Sequence, residues 1–408
     1  MSYKSFKFLL RPNEEQEQTL VKWMGSTRWI WNYYLNLNKE KYNETKKFLF
    51  KHEMITQIPN LKKQNEWLKE LPSQALQQRC IDLDMAIQRV WKQGNGFPKF
   101  KSKNIEHHNT LRITQTNGQI NPRKKQIKIP KMGWVNWKRY RPLEGKLKSI
   151  TIKKENNLWW CICLCELPDS SVCYNATHDE VVGIDLGLKE FAITSDGEIF
   201  DTPKIYRKKQ KRLRRQQRQM AKKKKGSKNR EKARKKLNKT HYKIKCQRND
   251  FTHKASSQIT NDYLFIAVED LNIRGMMKNR KLSKSIADQG WSMFVNQLIY
   301  KSKLNGGCTV KIDRFAPSSK TCSSCGNIQD MPLNIRTYEC PRCGVETNRD
   351  INAAINIKNW GIDEINRCGT HRIYACGDTN DGGQLYDWSN YVSVKQEKFF
   401  SFGEEAAI

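Results

Sequence analysis

The sequence has no long apolar segment and few acidic residues. Its best apolar run, residues 158–165, has the length of one strand, far short of the ~20 residues of a membrane-spanning helix. Residues 1–16 are too charged for a secretory signal peptide. The chain carries 41 Asp and Glu against 75 Lys and Arg, a net charge of +34. We therefore expect no membrane partner and a polyanionic one, for which nucleic acid is the simplest choice.

The 13 cysteines of the 408-residue chain do not indicate a disulfide framework. Their number is odd, and four of them form two Cys-x-x-Cys pairs, which is typical of a metal site in a reducing compartment. We therefore expect a cytoplasmic protein with reduced thiols. The length is sufficient for several domains, each with its own core.

The N-terminal part is predicted to contain a strand over residues 5–10, which ends at Pro12, and then helices. Residues 27–35 form a helix that is aromatic on most sides, which indicates either burial or a face that stacks on bases. A later helix, with Ser73 as its predicted N-cap, has an apolar face at helical spacing. That face comprises Leu76, Cys80, Leu83, Ile87 and Val90.

Residues 111–168 are predicted to be short strands separated by turns, which indicates a small β-domain and favours a barrel. Cysteines alternate along one of these strands, which is typical of core packing: Cys161, Cys163 and Cys165. A second group mixes cations with aromatic rings: Trp134, Trp137, Lys138, Arg139, Tyr140 and Arg141. Two interpretations of this group stay open, namely backbone contact with base stacking and ordinary basic loops.

From Val181 onward, predicted strands and helices alternate, so the fold class is α/β. Strands are predicted over residues 181–185, 264–268 and 309–315, a hairpin over residues 190–200, and a helix over residues 291–304.

A strongly basic insert interrupts this part of the chain. Residues 204–248 contain 23 Lys and Arg and a single acid, Glu231, for a local net charge of +22. Leu213, Met220 and Leu237 are its sparse apolar points, and Gly226-Ser227 fits the turn of a helical hairpin. Such a run is often a solvated face, but its length and single sign favour a nucleic-acid contact. The predicted contact residues are Lys208, Arg212, Arg215, Lys222, Lys223 and Arg234.

The most specific motif is a pair of Cys-x-x-Cys knuckles, Cys322–Cys325 and Cys340–Cys343, separated by fourteen residues. Four thiolates provide the tetrahedral ligand set that Zn²⁺ prefers. A glycine, Gly326 or Gly344, follows each pair, where a knuckle turn needs a residue that tolerates positive φ. The sequence therefore predicts a structural zinc site, because four protein ligands leave no open position for catalysis.

Three acids occupy informative positions. Asp185 and Glu269 each end a predicted apolar strand, and Asp350 follows the second knuckle. Carboxylates clustered at strand ends can hold a pair of Mg²⁺ ions that activates water in phosphodiester hydrolysis. A single Asp at such a position is more often a cap or turn residue, and spacing alone does not exclude Asp262 or Asp270.

The histidines give a weaker signal. The chain has seven, and His107-His108 has no partner at ligand spacing, which disfavours a His-based hydrolase.

These segments carry a family resemblance. Residues 183–197 (GIDLGLKEFAITSDG), 268–276 (VEDLNIRGM) and 321–357 (TCSSCG…YECPRCGVETNRDINAAINI) resemble the three RuvC motifs and the zinc ribbon of TnpB. TnpB proteins are transposon-encoded RNA-guided endonucleases related to compact type V CRISPR effectors. RPNEEQEQTL, LPSQALQQ and GFPKFKSK resemble the N-terminal half of that family in order and spacing. The resemblance covers nearly the whole chain and thins after Gly377.

The resemblance implies an RNase H-like RuvC nuclease domain with an inserted zinc ribbon, a helical recognition lobe and a β-barrel wedge domain. The implied boundaries are 1–10 for the first wedge strand, 11–95 for the recognition lobe, 96–178 for the wedge barrel, 179–320 for the RuvC domain with a basic insert at 204–254, 321–344 for the ribbon, 345–377 for the last RuvC segment and 378–408 for a tail.

The resemblance also implies a function. Asp185, Glu269 and Asp350 become the Mg²⁺-binding catalytic carboxylates. A guide RNA derived from the transposon end directs the cut in double-stranded DNA beside a short flanking motif, with one protein copy per guide. We find no zinc-finger or helix-turn-helix signature that would read a long DNA site directly, which fits a guide. The implied location is a prokaryotic cytoplasm, on the nucleoid when DNA is bound.

Three alternatives to this function differ in testable features. A nuclease-inactive RNA-guided repressor is disfavoured because all three acids are present. A transposase subunit would need a further nucleophile or acid set. A compact type V CRISPR effector would be favoured by a neighbouring repeat array or by dimerisation on one guide.

Overall fold

A computed structural model describes residues 2–114, 120–121, 123–138, 142–168, 176–332 and 334–370. These residues form a mixed α/β protein of two compact units, one within residues 2–168 and one within residues 176–370. Arg139, Tyr140, Arg141 and the predicted tail at 378–408 lie outside the described residues.

The first unit combines helices with an antiparallel sheet. Its elements are β1 (Ser2–Arg11), α1 (Glu14–Thr45), α2 (Lys51–Gln64), α3 (Ser73–Gln93), β2 (Thr110–Ile113), β3 (Ile120–Asn121), β4 (Gln126–Ile129), β5 (Gly133–Lys138), β6 (Lys146–Glu155) and β7 (Leu158–Leu167). Short 3₁₀ turns lie at Glu66–Glu70 and Glu106–His108.

The long helix α1 begins at a capping box. The side chain of Asn13 accepts a hydrogen bond from the Gln16 N–H at 2.8 Å, and the Gln16 side chain accepts from the Asn13 N–H at 3.1 Å. These bonds satisfy two backbone donors that the first helical turn leaves unpaired. Trp31 and Tyr34 are buried in the core of this unit, so these two aromatic residues pack rather than present rings to bases.

Helix α3 has the predicted apolar face, of which Leu76, Cys80, Leu83 and Ile87 are buried and Val90 is only partly so. The predicted N-cap is wrong. Pro72 is the cap residue, and Ser73 is the first helical residue, where its hydroxyl accepts a hydrogen bond from Lys62 Nζ at 2.6 Å. The fixed φ of proline suits the start of a helix, and no side-chain cap is formed there.

The seven-stranded sheet has the order β2-β6-β7-β1-β5-β4-β3, so the N-terminal strand lies in its middle. Among the described strands, β2 and β3 are its edges, and the predicted barrel is therefore an open half-barrel. Cys161, Cys163 and Cys165 are buried as predicted. Trp137 is also buried, whereas Trp134 keeps 42% of its surface exposed, so only the latter offers a ring to solvent.

The second unit alternates strands and helices. Its elements are β8 (Val181–Asp185), β9 (Glu190–Thr194), β10 (Ile199–Asp201), α4 (Ile205–Ala221), α5 (Lys228–Asp262), β11 (Phe265–Glu269), α6 (Ile273–Met276), α7 (Ser283–Gln289), α8 (Trp291–Leu304), β12 (Cys308–Ile312), β13 (Thr337–Glu339), β14 (Glu346–Asn348) and α9 (Arg349–Thr370), with a 3₁₀ turn at His178–Glu180.

The central sheet of this unit has the order β10-β9-β8-β11-β12. Strands β8, β11 and β12 run parallel, whereas β9 and β10 continue from β8 as antiparallel neighbours. Helix α9 packs on one face, and α8 contacts β11 and β12. The face under α9 buries Val181, Phe265, Ala267, Val310 and Ile312 together with Ile357 and Ile365 of the helix.

The basic insert is a hairpin of α4 and α5, and α5 continues beyond the insert to Asp262. Gly226 has a φ of 83° in the connecting turn, and the Ser227 hydroxyl caps α5 by accepting from Arg230 N–H at 3.1 Å. A small core of Ile205, Leu213, Leu237 and Ile244 joins the two helices. Asp288 of α7 fastens the base of the hairpin, because it accepts from the Tyr206 N–H at 3.0 Å and from Arg248 Nη2 at 3.1 Å.

No helix in the described ranges combines the length and the apolar character that a bilayer crossing requires.

Candidate functional site

Two of the three predicted acids end neighbouring parallel strands. Asp185 is the last residue of β8 and Glu269 is the last residue of β11, and the two strands pair in register up to Ile184 and Val268. Side chains alternate along a strand, so both acids lie on the same sheet face as Val181 and Phe265, the face that α9 covers. The fold therefore brings Asp185 and Glu269 together at one end of the sheet.

The third acid reaches this place from the covering helix. Asp350 lies in the first turn of α9, which packs against β8 and β11. Asn348 caps this turn, since its side-chain oxygen accepts from the backbone N–H groups of Asp350 at 2.8 Å and Ile351 at 3.3 Å. The helix start is thereby fixed beside the strand ends.

The proximity of the three acids changes the pKa of Asp185. Burial and, after it, the nearby carboxylates of Glu269 and Asp350 together raise the pKa of this carboxyl to about 7. The N–H of Leu186 and the charge of Arg349 act in the opposite direction. Such a cluster of partly buried acids is the electrostatic arrangement that a divalent cation would relieve.

Two of these acids have polar partners that the sequence patterns did not indicate. The hydroxyl of Ser318 donates to Glu269 Oε1 at 2.6 Å. Arg336 Nη1 lies 3.3 and 3.4 Å from the two carboxylate oxygens of Asp350. Ser318 precedes the first cysteine knuckle, and Arg336 lies between the two knuckles. No local spacing rule relates a serine or an arginine at these positions to acids elsewhere in the chain.

Arg349, the residue before Asp350, holds the segment that carries Arg336. Its guanidinium is buried and donates to the backbone oxygens of Pro332 at 2.8 Å and Ile335 at 3.3 Å, and its N–H donates to the Arg336 oxygen at 2.8 Å. A buried charge is tolerable only when its donors are paired. The position of Arg336 next to Asp350 thus depends on this neighbouring arginine.

The other acids that the sequence left open are placed differently. Asp270 forms ion pairs with Arg314 at 2.5 Å and Lys311 at 3.3 Å. Asp262 ends α5 just before β11 begins, so it lies at the opposite end of that strand from Glu269. His107 and His108 belong to the first unit, in a 3₁₀ turn.

The four knuckle cysteines form a compact sulfur cluster. Their sulfur atoms all lie within 4.8 Å of one another, with Cys322 and Cys343 Sγ at 3.6 Å and Cys325 and Cys340 Sγ at 3.5 Å. Tetrahedral sulfurs ~2.3 Å from a zinc ion are about 3.8 Å apart, whereas a disulfide would require about 2.05 Å. The cluster fits a zinc ion. The three carboxylates do not form so tight a group.

The two knuckles repeat one backbone pattern. The N–H of Cys322 donates to Asn327 O and the N–H of Cys340 donates to Val345 O. The predicted positive φ occurs at both following glycines, 72° at Gly326 and 71° at Gly344. Backbone N–H donation, chiefly from Cys343, lowers the pKa of the Cys340 thiol, whereas burial and the neighbouring thiols raise the pKa of Cys325. A bound metal would favour the thiolate at both positions.

The predicted nucleic-acid contacts are mostly accessible. Lys208, Arg212, Arg215, Lys222 and Arg234 are exposed on the hairpin, and Lys223 is partly exposed. Arg234 pairs with Glu231, the single acid of residues 204–248, at 2.7 Å. The remaining exposed cations give the hairpin a positive surface on both helices.

Three family models match the chain. One, OrfB_IS605, described as "Probable transposase", matches residues 164–280. A second, described as "Cas12f1-like, TNB domain", matches residues 291–357, which include both knuckles and Asp350. A third, described as "Helix-turn-helix domain", matches residues 1–47, a segment that forms strand β1 and one uninterrupted helix α1 here.

Known relatives match over nearly the full length. A Streptomyces pristinaespiralis protein named "Putative RNA-guided DNA endonuclease" is 31% identical, with 97% of this chain and 96% of that protein covered. An Escherichia coli K12 protein named "Putative RNA-guided DNA endonuclease InsQ" is 29% identical, with 93% and 95% covered. A solved Cas12f1-sgRNA-target DNA complex matches with a TM-score of 0.34 and 16% identity over 88% of this chain and 99% of that one.

These features define a mixed α/β protein with a group of three converging acids, a four-cysteine cluster that fits a zinc ion, and a basic hairpin. Because the Streptomyces relative is 31% identical over 97% of this chain and the OrfB_IS605 model also matches, the chain belongs to the OrfB_IS605, or TnpB, family.

Proposed function

We propose that this protein is an RNA-guided DNA endonuclease that cuts double-stranded DNA by metal-dependent phosphodiester hydrolysis. The observation that carries the proposal is the convergence of Asp185, Glu269 and Asp350 at one end of the five-stranded sheet, where burial and, after it, repulsion from the other two acids raise the pKa of Asp185. The names of the relatives that match nearly the full length give independent support.

The three carboxylates would hold Mg²⁺, and their chemistry fits this ion, which prefers oxygen ligands. A pair of such ions activates water and stabilises the leaving oxygen of a phosphodiester. The chain itself supplies the positions: the strand ends orient Asp185 and Glu269, and the capped start of α9 orients Asp350. The four cysteines would hold a structural zinc ion.

The domain assignment follows from the same family. We assign the second unit as an RNase H-like RuvC domain with the basic insert at 204–254 and the ribbon at 321–344. Its strand order, with three antiparallel strands followed by two parallel ones, supports this assignment. The first unit would provide the recognition lobe at 11–95 and the wedge at 1–10 and 96–178.

The basic hairpin would bind the guide RNA or its duplex with the target. Phosphate contacts of this kind fix position and carry no sequence information, so base pairing with the guide would select the site. Exposed Lys208, Arg212, Arg215 and Lys222, together with Lys223 and the paired Arg234, are the assigned contacts. The guide would derive from the transposon end, with one protein copy per guide, and the target would carry a short flanking motif.

The test is guide replacement. The protein is purified with its co-expressed transposon-end RNA, the RNA is sequenced, and the complex is incubated with a plasmid library in Mg²⁺. We expect the cut to move to a new match when the targeting segment is exchanged and the flanking motif is kept. Asp185→Asn should bind the same target without cutting it. Protein freed of RNA that still cuts one fixed site would refute the proposal, and wild-type complex that binds targets without cutting would favour a repressor.

A further inference from the structure

A turn at residues 317–321, just before the first knuckle, contacts Glu269. Ser318 in this turn is 6% exposed, and its hydroxyl donates to Glu269 Oε1 at 2.6 Å. A short bond from a buried donor to a carboxylate is a strong one. It occupies Oε1 of the Glu269 carboxylate.

The turn itself is closed by its own hydrogen bonds. Thr321 donates to the Pro317 oxygen through both its N–H at 3.0 Å and its hydroxyl at 2.9 Å. The Ser318 N–H donates to Ala316 O at 2.8 Å. The hydroxyl of Ser318 is therefore carried on a small closed loop rather than on an open segment.

Two asparagines of α9 hold this turn in place. Asn356 Nδ2 donates to Ser318 O at 2.8 Å and Thr321 O at 2.6 Å. Asn352 Nδ2 donates to Thr321 O at 2.7 Å, and its side-chain oxygen accepts from the Ser323 N–H at 2.9 Å. Both asparagines are buried, at 0% and 4% exposure, and buried polar groups need such partners.

These bonds form one chain between two of the acids. Asn352 and Asn356 lie two and six residues after Asp350 on the same helix, they hold the turn, and the turn holds Glu269. We propose that Ser318 is a positioning residue that orients Glu269, and that Asn352 and Asn356 set its place relative to Asp350. The inference depends on the proposed function, in which both acids bind metal.

Outer partners of this kind fix the orientation of a ligand, and their loss typically lowers metal affinity about 10- to 100-fold. The test is a titration of the full-length, zinc-loaded protein with Mn²⁺. The free Mn²⁺ concentration is measured by electron paramagnetic resonance. We expect Ser318→Ala to bind Mn²⁺ about 10- to 100-fold more weakly. Ser318→Thr keeps the hydroxyl and should restore most of the affinity, and Ser318→Cys, a weaker donor, should lie between.

The matched control is Ser302→Ala. Ser302 is fully buried, and its hydroxyl shares a 2.9 Å hydrogen bond with the hydroxyl of Thr309 in β12. This variant removes a buried hydroxyl away from the acids, so it should lose thermal stability without any change in Mn²⁺ affinity. Zinc content should equal that of the wild type in all variants, which shows that the ribbon is intact.

A Ser318→Ala protein with wild-type Mn²⁺ affinity would overturn the inference. If Ser318→Ala does not fold, equal Mn²⁺ binding by Ser318→Cys and the wild type would overturn it as well. A wild type that binds no more Mn²⁺ than Asp185→Asn would remove the metal site itself, and the inference with it. If Ser318→Ala binds Mn²⁺ more weakly than the wild type as expected, but the wild type shows no guided cleavage, the proposed function alone would be refuted.

Discussion

The packing of α9 on β8 gives a sharp prediction at Gly183. A Cβ at this position would lie 2.0 Å from Ala354 O and 2.5 Å from Lys358 N, both backbone atoms of α9. Contacts below 3.0 Å are essentially never observed for a real Cβ, so Gly183→Ala must push the helix and strand apart by about 1 Å. Gly183 lies two residues before Asp185 on the same strand face, and Ala354 lies one helical turn after Asp350.

The expected size of the effect follows from this geometry. Overpacking of a core costs about 1–3 kcal/mol, which lowers the Tm of a domain of this size by roughly 2–4 °C per kcal/mol. A misplacement of ~1 Å between reacting groups can cost on the order of 100-fold in rate. We therefore expect a moderate loss of Tm together with a loss of about 100-fold in single-turnover cleavage, measured with excess guide-loaded protein and saturating Mg²⁺.

Two other glycines serve as controls that separate a loss of stability from a displacement of the acids. A methyl at Gly96 meets no atom within 4 Å, so Gly96→Ala should change neither Tm nor cleavage appreciably. Gly361 lies eleven residues after Asp350 on α9, and its Cβ would meet Ala267 Cβ at 2.3 Å. Gly361→Ala should thus destabilise the protein with a smaller loss of cleavage. Full cleavage by a folded Gly183→Ala protein would refute the argument that helix-to-strand spacing sets the acid site.

Three further outcomes are expected. Asp185→Asn should reduce cleavage at least about 100-fold with guide and target affinities unchanged in filter binding, and undiminished cleavage would remove Asp185 from the site. Wild-type protein should contain one zinc per chain by elemental analysis, and Cys340→Ser should lose zinc, Tm and cleavage together; a zinc-free active preparation would contradict this. Burial lowers the pKa of Lys301 to about 8 in the folded protein, from 10.5 for a free lysine. Between these two values the unfolded chain binds more protons than the folded protein, so the free energy of unfolding should increase as the pH rises from 8 to 10.5. Urea unfolding of Lys301→Met should lack that increment, and equal pH dependence of the two proteins would contradict it.

Local sequence patterns anticipated the parts of the fold that depend on neighbouring residues. The helix over residues 291–304 has the predicted bounds, because its apolar spacing and flanking glycines are local signals. The positive φ at Gly326 and Gly344 follows from the knuckle turn alone. The positions of Asp185 and Glu269 at strand ends were readable from the apolar runs before them.

Other features could not be read from the sequence because they depend on distant partners. Strand β1 lies between β7 and β5, an arrangement that no local pattern specifies, and the sheet stays open over the described strands. Ser318 and Arg336 reach acids 49 and 14 residues away in sequence. The one available signal was the pair Asn352 and Asn356, polar residues four apart on the apolar face of a helix, which indicates a buried polar contact without naming its partner.

The position of the cysteine ribbon between β12 and α9 has a physical consequence for the acids. Thirty-six residues separate Ile312 from Arg349, a long connection whose ends meet the site. Among the described residues of this connection, the buried hydrophobic core is small and consists of Cys322, Tyr338 and Cys340, which is too few to order a segment of this length unaided. A metal held by the four thiolates would supply the missing stability. Ser318 contacts Glu269 near the start of this connection, and Arg336 contacts Asp350 from a position between the two knuckles. Ordering of the connection therefore also orders two of the three carboxylates.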